Sequence, residues 1–374
     1  MQMIMQQRIL RLREAMIKFN LDTFLVMQEE NRRYLSGFTG EDTQFDESAG
    51  VLLITAEKLI LVTDSRYELQ ARKEATDYEV ICCKKNMETE LSRLLPELEI
   101  RQMGFESSRM SVSKYNRLQE ALTSVSYSAE LIPADELIRN LRVRKDGLEI
   151  QTIQKALQIA ESAFRELLEE LTPGMTESEM AWRFEQAMHR HGAQGLSFPT
   201  IVASGPNSAL PHAVPSDRVV NAGEPLLFDF GVKFEGYCSD TTRTLLLETP
   251  DETFSKIYPI VLDAQQMAIE AIKPGMKGRE IDAIARNHID AMGFGDRFGH
   301  GLGHGVGMLV HEAPRLSPLS DDILEEGMIV TVEPGIYIPE WGGIRLENMV
   351  RVTNDGVEIL NDLPLNQDSS LIQK

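Results

Sequence analysis

The chain repeats itself, and the repeat limits what it can fold into. Pro173-Gly174-Met175 is followed by Glu179 and by a helical pattern ending at Gly192. Pro274-Gly275-Met276 is followed by Glu280 and by a helical pattern ending at Gly293. In both copies proline and glutamate are six residues apart, and proline and the closing glycine nineteen. The match runs on into strands: Gly223 leads to Asp229 and Gly327 to Glu333, each six residues on through an apolar run. Matches in register at several points read as an internal duplication. The C-terminal part is therefore expected to be two related α+β halves, each delivering an acid from an otherwise apolar strand. Thr176 and Glu179 predict a capping box in the first copy.

A chain of 374 residues has room for roughly two domains. Residues 1–140 alternate helical and strand patterns of their own. Ile9, Leu12, Met16 and Phe19 form a helical stripe, and Ala49 to Thr55 with Leu59 to Thr63 reads as a hairpin. Asp22 to Met27, Tyr78 to Cys83, Gln102 to Glu106 and Val125 to Ile132 read as strands, with Cys82 and Cys83 as core residues. This is a mixed α/β domain with no catalytic constellation. The boundary falls between Asn140 and Gly147, giving domains 1–143 and 144–374. Beyond it Ile150, Ile153, Leu157, Ala160, Phe164, Leu167 and Leu171 mark a long core-packed helix.

The net charge of −20 argues against nucleic acid or an anionic membrane as partner. Met1 to Leu12 holds Arg8 and Arg11 and no apolar run, which predicts neither a signal peptide nor a membrane span. Three cysteines without ligand spacing imply a reducing, cytoplasmic setting.

The acids carry the chemistry. Asp229 lies in a strand that should be buried, Asp240 lies in Tyr237 to Arg243, and Phe234-Glu235-Gly236 reads as the turn between them. A hairpin folded about Phe234 and Glu235 would set Asp229 opposite Asp240. Glu333 and Glu347 would repeat the arrangement about a loop at Pro339 to Gly342. Four converging carboxylates cannot stay buried and charged without cations. Two divalent metals about 3.5–4 Å apart would compensate them. His304, set among the glycines of Gly299 to Gly307, offers a nitrogen ligand. No Gly-Lys-Ser/Thr follows those glycines, so they do not form a phosphate loop. His189, His191 and His288 follow helical patterns and read as structural.

In these residues the chain resembles the pita-bread metallopeptidases, which include prolidase, aminopeptidase P and methionine aminopeptidase. Asp229, Asp240, His304, Glu333 and Glu347 match the metal ligands of that family in order, with spacings of eleven between the aspartates and fourteen between the glutamates. Asn31 to Phe38 and Thr63 to Tyr67 resemble the amino-terminal domain of the prolidase and aminopeptidase P branch, which methionine aminopeptidases usually lack. The resemblance implies an α+β fold: a duplicated pita-bread catalytic domain behind a smaller mixed α/β one. It implies two divalent metals, Mn²⁺ first with Co²⁺ or Zn²⁺ as alternatives, bridged by Asp240 and Glu347. It implies Glu333 as proton shuttle, and His212 and His311 as groups that hold substrate and stabilise the tetrahedral intermediate. His300 and Arg345 match positions that either support the ligands from behind or contact substrate, and Arg315 matches an arginine that binds a dipeptide's carboxylate. Asn348 stands where relatives commonly carry aspartate. The implied protein is a homodimeric prolidase for Xaa-Pro dipeptides. The alternatives are aminopeptidase P acting on longer peptides, a non-catalytic peptide-binding relative, and the metal-free creatinase.

Overall fold

The computed structural model describes residues 2–42, 44, 47–172, 174–247, 249–365 and 371–372. Pro173, at the head of the first repeat, lies outside them. The chain divides into two compact units, Met1–Arg142 and Val143–Lys374.

The first unit runs α1 (Gln2–Lys18), β1 (Thr23–Val26), α2 (Glu29–Ser36), β2 (Val51–Thr55), β3 (Leu59–Thr63), α3 (Glu68–Glu74), β4 (Glu79–Cys82), α4 (Met87–Glu97), β5 (Gln102–Phe105), α5 (Val112–Ser124), β6 (Glu130–Pro133) and α6 (Glu136–Arg142). Its sheet has the order β4-β3-β2-β1-β5-β6. The β2–β3 hairpin forms, and β2 is antiparallel to both neighbours. Three expectations are corrected here. Phe19 lies past the end of α1 and is 45% exposed, so the stripe stops at Met16. The last strand starts at Glu130, and Val125 ends α5 as an exposed cap. Cys82 and Cys83 are half-buried, because β4 is an edge strand with only one neighbour to cover it.

The second unit runs α7 (Gly147–Glu170), α8 (Glu177–Arg190), β7 (Gly195–Leu196), β8 (Ile201–Ser204), β9 (Pro225–Phe230), β10 (Val232–Phe234), β11 (Tyr237–Cys238), β12 (Thr241–Leu247), α9 (Glu252–Ala271) and α10 (Gly278–Ala291). It continues with β13 (Gly303–Gly305), β14 (Glu312–Leu316), β15 (Ile329–Val332), β16 (Gly335–Ile338), β17 (Gly342–Arg345), β18 (Asn348–Val352) and β19 (Val357–Ile359). The antiparallel set β8-β9-β12 has its counterpart in β13-β15-β18, and each follows a helix pair. Even single bridges recur: Thr176 pairs with Val219 and Lys277 with Ile323. The predicted capping box is half made. Thr176 Oγ1 accepts from Glu179 N at 3.1 Å, but the Glu179 carboxylate turns to Arg183 at 2.6 Å.

Packing decides which way the acids face. Phe228 and Phe230 of β9 pack on Phe164 of α7 and Phe184 of α8, with Phe230 centroids 4.9 and 4.8 Å from the two rings. Side chains alternate along a strand, so Asp229 between them points to the other side. Val330 and Val332 join the core with Ile281, Ala285 and Ile289 of α10, which turns Thr331 and Glu333 the same way. No helix among the described residues is long and apolar enough to cross a membrane.

Candidate metal centre

The first acidic hairpin turns one residue later than expected. Its two-residue loop is Glu235-Gly236, with φ of 48° and 83°. Positive φ at both positions suits the right-handed twist of the strands. Lys233 therefore pairs with Cys238, and Asp229 pairs with Thr242. Asp240 is not opposite Asp229. It sits one step diagonally, two residues before Thr242, which keeps it on the same face. In the second half Val332 pairs with Asn348 and Gly335 with Arg345, so Glu333 and Glu347 hold facing positions. The copies thus differ. Asp229 corresponds to Glu333, Thr242 to Glu347, and Asp240 to Arg345.

The strands bring the acids together. Ligand oxygens of Asp229, Asp240 and Glu347 lie within 4.8 Å of one another. His304 Nε2 enters the same cluster, 3.2 Å from Glu333 Oε1 and 3.7 Å from Asp240 Oδ2. His304 stands on β13, where Gly303 passes so close to β15 that a Cβ would strike the Thr331 carbonyl. Thr331 Oγ1 accepts from His304 N and donates to Glu333 Oε1, both at 3.0 Å, which sets the pair.

The donor set fits cations. Among the described residues Asp229 Oδ1 and Glu347 Oε1 are buried without a hydrogen-bond partner. Burial, reinforced by the neighbouring acids, pushes the Asp229, Asp240 and Glu347 carboxyls above their ordinary range. Burial also opposes the Glu333 carboxylate, but its hydrogen bond to His304 and the nearby cationic groups outweigh this and hold it at about 2. Burial disfavours an imidazolium at His304, yet its bond to Glu333 raises it on balance. Clustered oxygens with unfilled lone pairs and one imidazole nitrogen are what divalent metals take.

Arg345 lies beneath the cluster rather than on an open face. Its side chain is 3% exposed. Nη2 donates to Asp229 Oδ2 at 2.7 Å, Nε to Thr242 Oγ1 at 3.1 Å, and Nη1 to Tyr337 Oη at 2.9 Å. It orients acids and is enclosed by protein groups. His300 Nε2 meets the other side of Tyr337 Oη at 2.9 Å. His311 is exposed, with its ring centroid 4.3 Å from that of His304. His212 and Arg315 are exposed as well, and Arg315 lies across the strand pair from His304. Asn348 Oδ1 accepts from Arg243 Nη2 at 3.0 Å. Burial lowers that guanidinium to about 10.

Sequence reasoning missed the residues that hold these groups. Thr242 and Tyr337 are two. Thr242 could have been found by period-two spacing from Asp240. Glu177 is a third: fully buried, it accepts from Ser204 N and Oγ and Ser216 N and Oγ at 2.6–3.1 Å, pinning the loop that carries His212. Asp282 is a fourth. It takes Leu302 N at 3.0 Å and pairs with Arg286, which donates to the His300 carbonyl at 2.7 Å.

The chain is similar to known proteins along most of its length. Residues 151–354 match metallopeptidase family M24, and residues 8–144 match the creatinase/prolidase N-terminal domain. The Xaa-Pro dipeptidase of Pyrococcus horikoshii is 39% identical over 355 residues, 94% of this chain and 96% of its own. A solved Xaa-Pro dipeptidase from Bacillus anthracis is 41% identical at TM-score 0.90, covering 97% of this chain and 99% of its own. The X-Pro aminopeptidase from Thermotoga maritima is 38% identical at TM-score 0.84, covering 93% and 97%. With both units matched nearly end to end and the acids gathered on one face, the chain belongs to metallopeptidase family M24.

Proposed function

We propose that this protein is a dinuclear-metal prolidase that hydrolyses Xaa-Pro dipeptides. The observation that carries this is the cluster of Asp229, Asp240 and Glu347 oxygens within 4.8 Å, with His304 Nε2 aimed into it, in a chain 39–41% identical to Xaa-Pro dipeptidases. Asp229, Asp240, His304, Glu333 and Glu347 would hold the two ions, Mn²⁺ before Co²⁺ or Zn²⁺. Such ions, when bound, polarise a carbonyl and make water a nucleophile near neutrality. The remaining tasks fall to side chains. Glu333, kept ionised, accepts a proton and passes it on. His311, whose imidazole is shifted down by partial desolvation and by His304 beside it, and His212 donate to the substrate oxygen as charge develops on it. Arg315, exposed beside His304, pairs with the terminal carboxylate. His300, shifted down by burial, meets Tyr337 Oη and helps hold it against Arg345. Arg345 opposes the burial that raises the Asp229 carboxyl, and aims it.

The second reading is an Xaa-Pro aminopeptidase, favoured by the 38% identity to the X-Pro aminopeptidase of Thermotoga maritima. Turnover of Ala-Pro against an Ala-Pro-Xaa peptide separates the two. Faster cleavage of the longer peptide overturns the first reading. Three free thiols accord with a cytoplasmic setting, and the homodimer rests on the family resemblance.

A further inference from the structure

Lys145 lies two residues into the second unit, and its side chain reaches toward the site. Lys145 Nζ lies 2.7 Å from Glu312 Oε1, with side chains 1% and 9% exposed. Its backbone N–H donates to Gly327 O at 2.8 Å, just ahead of β15, whose end leads into Glu333. Glu312 directly follows His311. Neighbouring side chains of an extended chain face opposite ways, so Glu312 points back when His311 points at His304.

His311 has little else to hold it. Its ring is exposed and has no hydrogen bond among the described residues; it meets the ring of His304 edge-on, 4.3 Å between centroids. The backbone here is irregular. His304 pairs with Arg315 and Gly305 with Glu312, leaving Ala313 and Pro314 as an excess on β14. The Glu312 carboxylate is the fixed point. Besides Lys145 it takes Leu309 N at 3.5 Å, and it presses on Gly307 where a Cβ would collide with it. Gly307 O in turn accepts from Cys238 N at 2.7 Å. A buried ion pair is a weak source of stability, and an apolar pair of equal volume serves as well. Its use here is directional.

We propose that Lys145 is a positioning residue for His311, acting through Glu312 to hold the imidazole beside His304. This rests on the reading of His311 as a substrate-contacting group.

The test measures kcat and KM for Ala-Pro, metal content and unfolding midpoint in K145M, K145R, H311A and K145M/H311A, each loaded with Mn²⁺. K145M and H311A are each expected to lower kcat about tenfold or more, since small displacements of a catalytic group cost that much. KM and metal content should hold, and K145R should recover most of the loss. The double variant should be no slower than H311A, because the two changes remove one effect. A crystal structure of K145M should show the His311 ring moved off His304. Losses that multiply in the double variant overturn the proposal and leave the His311 reading standing, and so does a K145M enzyme that only melts earlier. An H311A enzyme with native kcat overturns both. If K145M does not fold, E312Q takes its place: the same non-additivity with H311A supports the proposal, and native kcat overturns it.

Discussion

Thr242 and Glu347 occupy equivalent positions in the two copies of the hairpin, and the hydroxyl of one donates to the carboxylate of the other at 2.7 Å. The Glu347 N–H returns a bond to Thr242 O at 3.1 Å. The duplication axis thus passes between a hydroxyl and an acid. Replacing Thr242 with valine keeps the shape and removes the donor. The Mn²⁺ concentration giving half activation should rise about 10–100-fold, the usual loss when a group orienting a ligand is removed. An unchanged activation curve would count against Glu347 as a ligand.

Arg345→Lys tests the guanidinium as a fork rather than as a charge. The arginine serves Asp229, Thr242 and Tyr337 through three nitrogens, and an ammonium cannot span them. Activity should fall sharply while the fold persists. Arg345→Ala should in addition cost about 3–5 kcal/mol in denaturant unfolding, because it strands a buried acid.

Chelated protein should lose stability as pH rises through the weakly acidic range. Asp240 and Glu347 have folded pKa values raised by burial and by repulsion from the neighbouring acids. Their contribution is fully present below the unfolded values of about 4 and is lost as pH climbs through the raised folded values. Glu333, lowered to about 2, has the opposite sign but acts only below that range. Unfolding midpoints between pH 5 and 8 should therefore fall less steeply in E347Q than in the native chain. Adding Mn²⁺ at a hundred times Kd should restore about 2.7 kcal/mol to the native protein. Parallel pH slopes for the two chains would refute the account.

Arg315→Ala should raise KM for Ala-Pro more than for Ala-Pro-Xaa. The longer substrate carries its terminal carboxylate elsewhere. Equal losses on both would remove Arg315 from carboxylate recognition.

What could be read from residues alone divides along a physical line. Glycine-to-acid spacings and the α7 stripe survive because they depend on local period and on burial. The register of the aspartate hairpin did not come through. Phe234, Glu235 and Gly236 all suit a turn, and only the backbone φ of Glu235 shows which two form it. Arg345 was expected, from the family resemblance alone, either at the substrate or behind the metal ligands, and the second is where it lies. Its burial depends on Asp229 and Thr242, more than a hundred residues away, as well as on Tyr337 of the neighbouring strand, and no local pattern encodes the distant pair. Lys145 was legible only as a boundary residue, since its partner lies 167 positions along the chain.

The one-step slip between the aspartate and glutamate hairpins has a last consequence. A protein joined from two copies of the first half would crowd Asp229 and Asp240 against their own images, with neither Arg345 nor His304 to answer them. Two copies of the second half would drive a pair of Arg345 side chains toward one centre. Each half has come to depend on what the other lost, so the ancestral symmetry can no longer be restored by exchange of parts.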